Sequence, residues 1–203
     1  LNACLFGELR FHGNEENYYD PRNSYLNEVL DRKVGIPITL SVIYLEVARR
    51  LGMPAEGVGF PGHYLVRCCG KLVECFHGRC IEQRGCQELL DELYGGRVKL
   101  EGGMLRASDS RETLVRVLNN LQNVYASRKQ YDRSLRFIQM SLLLVPDSPT
   151  HLRDRGMIYT QLEDFGKATR DFERYLALVP DAPDVLRVTE HLKLSRRLLS
   201  HLN

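Results

Sequence analysis

The sequence predicts a two-part protein: an α+β domain with a small antiparallel sheet over residues 1–108, followed by an all-α array of helical hairpins over 109–203. Three observations point there. Residues 37–51 carry a long amphipathic helix pattern, residues 57–76 carry short β-branched and aromatic runs around a Cys-Gly turn, and the last third repeats at a fixed offset. A hydrophobic content of 43% over 203 residues is enough for a proper core.

In the front part, residues 1–10 and 23–32 read as helices joined by the polar, aromatic loop from Gly13 to Pro21. The strongest helix follows. Pro37 suits its first turn, Gly52 its C-terminal cap and Pro54 the stop beyond, while Leu40, Ile43, Tyr44, Val47 and Leu51 share one face. Gly57 to Arg67 and Lys71 to Phe76 then read as an antiparallel hairpin turning at Cys69-Gly70. Residues 83–94 supply another helix, and 95–108, with two Gly-Gly pairs, form a loop.

The repeat shows in Tyr125 with Tyr159, Tyr131 with Phe165, Pro146 with Pro180 and Pro149 with Pro183, an offset of 34 residues. Helices are expected at 111–127, 131–145, 148–162, 165–178 and 183–201, the last as a cap. With Gly156, Tyr159, Ala168, Phe172 and Pro180, the second copy resembles the tetratricopeptide pattern; the first has Gln122 and Ser134 in place of the small residues. Two copies fall short of the three usually needed for independent stability, so the array is expected to pack on the front domain.

Twenty-eight basic and 26 acidic residues leave a net charge of +2, with no long run of either sign, so neither nucleic acid nor an anionic membrane is the expected partner. No apolar stretch approaches the roughly eighteen residues that span a bilayer, and no signal-peptide pattern opens the chain. The missing initiator Met suggests a native start further upstream. Six cysteines are too few and too clustered for a disulfide framework, which favours a reducing cytoplasm. Cys75, His77, Cys80 and Cys86 lack paired zinc-knuckle spacing, so buried or inert thiols are preferred to a metal site, and no cofactor is expected.

Chemistry concentrates on the hairpin. A turn at Cys69-Gly70 places opposite one another residues whose numbers sum to 139, which puts His63 at the start of a strand and on the same face as Glu74, with Cys75 on the other face. A histidine oriented by a carboxylate is two-thirds of a nucleophilic triad, although a satisfied core histidine fits the same pattern.

The run Tyr18 to Leu30, then Gly35-Ile36-Pro37-Ile38-Thr39-Leu40 and Pro61-Gly62-His63-Tyr64, resembles the SirB-type branch of the transglutaminase-like superfamily, whose members also carry C-terminal tetratricopeptide repeats. The resemblance implies a papain-like fold with a cysteine at the N-terminus of the buried helix, a histidine on a following strand and an Asp on the next. Counting back one helix length puts the nucleophile's place at Pro37 or a neighbour, where no cysteine stands. His63 matches the family histidine, and Glu74 occupies the place of the more usual Asp. Thr39 and Ser41 lie in the first turns of that helix as hydroxyls that could replace the thiol, Thr39 set against a plain capping role, and nothing in the spacing supports Cys4.

Asn23, Asn27 and Arg32 would anchor the helix start or rim a cleft beside it. Arg116, Asn120 and Asn123 on one helix face, with Arg153 on the third repeat helix, would line a groove for an acidic or C-terminal peptide, or form a solvated face. The expectation is a non-catalytic module that binds a protein or peptide. The alternative is a hydrolase or acyl-transfer enzyme acting on peptide amides through His63 and Glu74.

Overall fold

Residues 1–202 are described in the structure, a computed structural model, and they divide into two compact units with the boundary between Val117 and Leu118. The first unit is built on a small sheet between two helices. After a π-helical turn at Ala3–Glu8, strand β1 (His12–Gly13) pairs in parallel with β2 (Val34–Gly35), and a 3₁₀ turn (Pro21–Ser24) and α1 (Leu26–Arg32) lie between them in sequence.

Helix α2 (Pro37–Arg50) begins as its sequence requires. Pro37 occupies the first turn, where a missing N–H costs nothing, and Leu51 and Gly52 end the helix, Gly52 with φ of 66°. Its residues 37–41, 43, 44 and 48 are buried, making it the central helix of the unit.

Five strands form the main sheet: β3 (Ala55–Val58), β4 (Leu65–Cys68), β5 (Lys71–Glu74), β6 (Arg79–Ile81) and β7 (Ala107–Ser108), in the antiparallel order β6-β5-β4-β3-β7. Alternation along the strands divides the core. Val66 and Val73 pack with Leu40, Ile43 and Tyr44 of α2, whereas Val58 and Leu65 pack with Cys86, Leu89 and Leu90 of α3 (Gln83–Tyr94).

The hairpin register agrees with the sequence arithmetic: Val66 pairs with Val73, Arg67 with Leu72 and Cys68 with Lys71. The strand read over 57–67 is corrected. It is two strands, β3 and β4, paired with each other and separated by residues 59–64. Gly59, Pro61 and Gly62 break the run, with Gly62 at a φ of 66°, so His63 sits in the loop before β4 rather than in a strand. Strands β6 and β7, only three and two residues long, were not expected from the pattern.

The unit boundary falls within α4 (Ser110–Ser127); α5 (Tyr131–Leu144), α6 (Pro149–Gln161), α7 (Phe165–Leu178) and α8 (Val185–Leu202) complete the chain. These match the repeat reading within two residues at every end. Ile138, Leu152, Tyr159, Ala168, Phe172, Tyr175 and Val188 form one apolar core. Small residues are needed where α6 and α7 meet, because a Cβ at Gly156 would stand 2.6 Å from the ring of Phe172, which is fully buried. The first copy answers the same requirement less well: Ser134 gives its hydroxyl to the Gln122 carbonyl at 3.0 Å, and the larger Gln122 side chain reaches Asp154 at 3.2 Å.

Replacing Gly156 with Leu should therefore destabilise the protein by about 2–3 kcal/mol through overpacking against Phe172. Urea unfolding measures it; a change below about 0.5 kcal/mol would show that the contact is not tight.

Candidate functional site

Glu74 lies at the last residue of β5 with no solvent exposure. Its Oε1 accepts from His63 Nε2 at 3.0 Å and from the Phe76 backbone N–H at 2.7 Å. Its Oε2 accepts from His77 Nδ1 at 2.6 Å and from the His77 backbone N–H at 3.2 Å. Arg79 Nε stands 3.5 Å from Oε2. Burial by itself would raise the Glu74 pKa, but the hydrogen bonds and charges of His63 and then His77 outweigh it and hold the carboxyl down at about 2.

An ionised carboxylate can only accept, so each imidazole must donate the nitrogen that faces it. His63 is thereby left with Nδ1, and His77 with Nε2, as the nitrogen able to take a proton. For His63 this is the orientation of a general base held by a carboxylate.

The loop that carries His63 is tied down at both sides. Arg116 donates to the His63 carbonyl at 3.2 Å and lies 3.5 Å from that of Phe60, and the Tyr64 hydroxyl bonds the Thr113 hydroxyl at 2.7 Å. Arg116, read from the sequence as part of a repeat groove, is here a strap for the histidine loop. Glycine at 57 is part of the same arrangement, since a Cβ there would lie 2.2 Å from the Tyr64 oxygen.

At the start of α2, Pro37 is buried, and Ile36, Ile38 and Tyr64 form an apolar cluster with Tyr18, Val42 and Val117 around it. Thr39 is fully buried. Its hydroxyl accepts from the Ile36 backbone N–H at 3.1 Å and donates to the Asn23 carbonyl at 2.7 Å. Asn23 is also buried, with its amide nitrogen bonded to the Asn17 and Tyr18 carbonyls and its oxygen accepting from Asn14 at 3.0 Å and more distantly from Arg32. Asn27 is exposed on α1. The polar residues around the helix start thus fasten loops to one another.

The thiols are elsewhere. Cys75 is wholly buried in the α2 side of the core, and burial pushes its thiol up to about 12. Burial also raises Cys68 and Cys86, the opposite of an activated nucleophile. Cys4 and Cys80 are exposed. Cys75 and Cys86 occupy different core clusters, and among the described residues no group of three or more His, Cys, Asp or Glu is placed to hold a metal ion. Nor, among those residues, is any thiol or hydroxyl hydrogen-bonded to His63 or His77.

Sequence reasoning missed His77, the second imidazole on Glu74. Its signal was the Glu-x-x-His spacing just past a strand end, which the sequence reading had weighed only as part of a zinc quartet. His77 Nε2 stands 3.5 Å from Glu15 and borders a cleft of about 660 Å³ lined also by Phe11, His12, Arg32 and Phe76.

In the second unit, Asn120 is half-buried and Asn123 exposed on α4. Arg153 is neutralised by Asp154 and Asp184, both at 2.8 Å.

A central helix packed on an antiparallel sheet, with a histidine from the loop before one strand brought to a carboxylate at the end of the next, defines a papain-like α+β domain, here in a chain that also carries helical repeats. Residues 1–119 match the transglutaminase-like superfamily, and residues 121–193 match the tetratricopeptide repeat. The chain belongs to the transglutaminase-like superfamily. It is 46% identical over 170 residues to a UPF0162 protein of Xylella fastidiosa strain 9a5c, covering 80% of this chain and 60% of the relative. A UPF0162 protein of Vibrio cholerae is 32% identical over 164 residues, covering 78% and 61%. F-box only protein 21 of Mus musculus is 30% identical over 179 residues, covering 80% of this chain and 27% of its own length. The matched region spans about 60% of the UPF0162 proteins.

Two outcomes follow from this geometry. The Glu74 pKa is about 2 in the folded state against an ordinary value of 4.5, so its contribution is fully present above 4.5 and is lost as pH falls through 2. That difference corresponds to about 3 kcal/mol at neutral pH. Urea unfolding at a series of pH values should show Glu74→Gln destabilised by this order at pH 7 and converging on the parent protein toward pH 2; parallel curves would refute the assignment. Thr39→Val, which keeps the shape but removes the hydroxyl, should cost about 2 kcal/mol by stranding the Ile36 N–H and the Asn23 carbonyl. A loss under about 0.5 kcal/mol would mean that the cap is replaced by water.

Proposed function

We propose that the chain is a SirB-type, non-catalytic transglutaminase-like domain joined to tetratricopeptide repeats, acting in the cytoplasm as a binding module for a protein or peptide. One observation carries this reading: the helix start where the family's nucleophile would stand holds a buried proline among apolar side chains, and the hydroxyls of its first turns face backbone, Thr39 held by the Ile36 N–H and the Asn23 carbonyl and Ser41 3.5 Å from the Tyr64 carbonyl. The repeat class supports a protein partner, since such repeats offer peptide-binding surfaces. The proposed groove includes Asn120 and Asn123, with Arg153 contributing through its ion pairs; Asn27 and Arg32 rim the helix start.

A second reading has its own observation. His63 and the ionised Glu74 are 3.0 Å apart in the arrangement of a base and its orienter, which suits acyl transfer or hydrolysis of peptide amides if a nucleophile is supplied.

Affinity capture from cell extract distinguishes the two, using the parent chain, His63→Ala and Asn120→Ala/Asn123→Ala, each checked for unchanged folding. Binding predicts a partner retained by His63→Ala and lost by the asparagine variant. A partner cleaved or modified only when His63 is present would establish the enzyme instead.

A further inference from the structure

The turn between β4 and β5 carries two adjacent cysteines that the site above does not use. Cys68 ends β4 with its side chain in the core, and Cys69 follows it, exposed at the tip of the hairpin. Their sulfurs are 3.9 Å apart. Cys69 and Gly70 have φ of 49° and 77°, the two positive values of a type I′ turn, where Asn and Gly are the usual occupants. A cysteine in the left-handed region is conformationally costly and is not required by the turn. Its backbone N–H is fixed by the Pro54 carbonyl at 3.0 Å, so the turn is anchored and the thiol pair is presented in one arrangement. Beside it opens a cleft of about 450 Å³ lined by Pro54, Ala55, Glu56, Arg67, Cys69 and Gly70.

We propose that Cys68 and Cys69 form a dithiol site that chelates a monosubstituted trivalent arsenical, with the organic group lodged against Pro54 and Ala55. Geometry favours chelation over an internal disulfide. Neighbouring Cα atoms are about 3.8 Å apart across a trans peptide, below the range of about 4.4–6.8 Å typical of disulfides, so a direct S–S bond there would be strained and easily reduced. A bridging atom bonded to both sulfurs takes up the separation that the turn already sets.

The chemistry balances without a redox partner. In the hydrated arsenical, R–As(OH)₂, two As–O bonds break and two As–S bonds form. Each hydroxide leaves as water with one thiol proton, and arsenic stays trivalent. Cys68, its thiol pushed up by burial, supplies the second bond once Cys69 has made the first from the solvent side.

The test is intact mass spectrometry of the reduced full chain with equimolar phenylarsine oxide, in the presence of excess glutathione as a monothiol competitor. One adduct per chain, formed with loss of water and removed by 2,3-dimercaptopropanol, is expected. Cys69→Ser and Cys69→Gly, the latter relieving the positive φ, should each capture the probe roughly a hundredfold more weakly, the scale of a lost intramolecular second bond. Cys4→Ser/Cys80→Ser should capture it fully. Full capture by either Cys69 variant, loss of capture in the Cys4/Cys80 variant, or no adduct on the parent chain would overturn the site.

Discussion

Glu74 brings a full negative charge to a place without solvent, and the neighbouring segments are arranged to supply it with donors from the loop before β4, from the backbone after β5 and from two imidazole rings. An unpaired carboxylate at such a place would cost several kcal/mol or would neutralise itself by taking a proton. With these donors it stays ionised, and in return it fixes the tautomers of both histidines. The longer Glu side chain suits this double duty, because it curls back to the N–H groups two and three residues onward while still facing His63. The dyad geometry is therefore inseparable from how the chain turns at the end of β5.

The start of α2 meets the opposite demand. A helix N-terminus leaves several N–H groups without intrahelical partners and stabilises negative charge, which is how it would activate a thiol. Here Pro37 contributes no N–H, the Ile36 N–H is taken by Thr39, and Ile36, Ile38 and Tyr64 surround the position with apolar surface. The feature that would lower a pKa has been turned into a cap. Meanwhile Cys75, the cysteine next to Glu74 in sequence, is sent by strand alternation into the core, where burial raises its pKa.

Most of this was legible in the sequence because it rests on local periodicity. Pro37, Gly52 and Pro54 bracket α2, the 34-residue offset marks the repeat helices, and a two-residue turn at Cys69-Gly70 sets the register that brings His63 toward Glu74. What could not be read were relations that cross element ends. The break between β3 and β4 depends on how Gly59, Pro61 and Gly62 turn the chain, and β6 and β7 are too short to carry a pattern. His77 reaches Glu74 from beyond the strand, where alternation no longer applies. Arg116 looked like one member of a helix-face row, yet its partners are carbonyls more than fifty residues earlier.

The same distinction bears on what the proposed groove would recognise. Charged side chains on the repeat helices suggested a clamp for an acidic peptide, but in the second unit the cations on α6 are committed: Arg153 to Asp154 and Asp184, and Arg155 to Asp171 at 2.7 Å. For a ligand carboxylate to bind Arg153 it would have to displace a carboxylate already held at short range, gaining little net electrostatic energy. Asn120 and Asn123 carry no such debt. A ligand reading them would offer backbone amides and carbonyls rather than charge, so the proposed recognition is of an extended or helical segment by its hydrogen-bonding groups, and it should depend only weakly on salt.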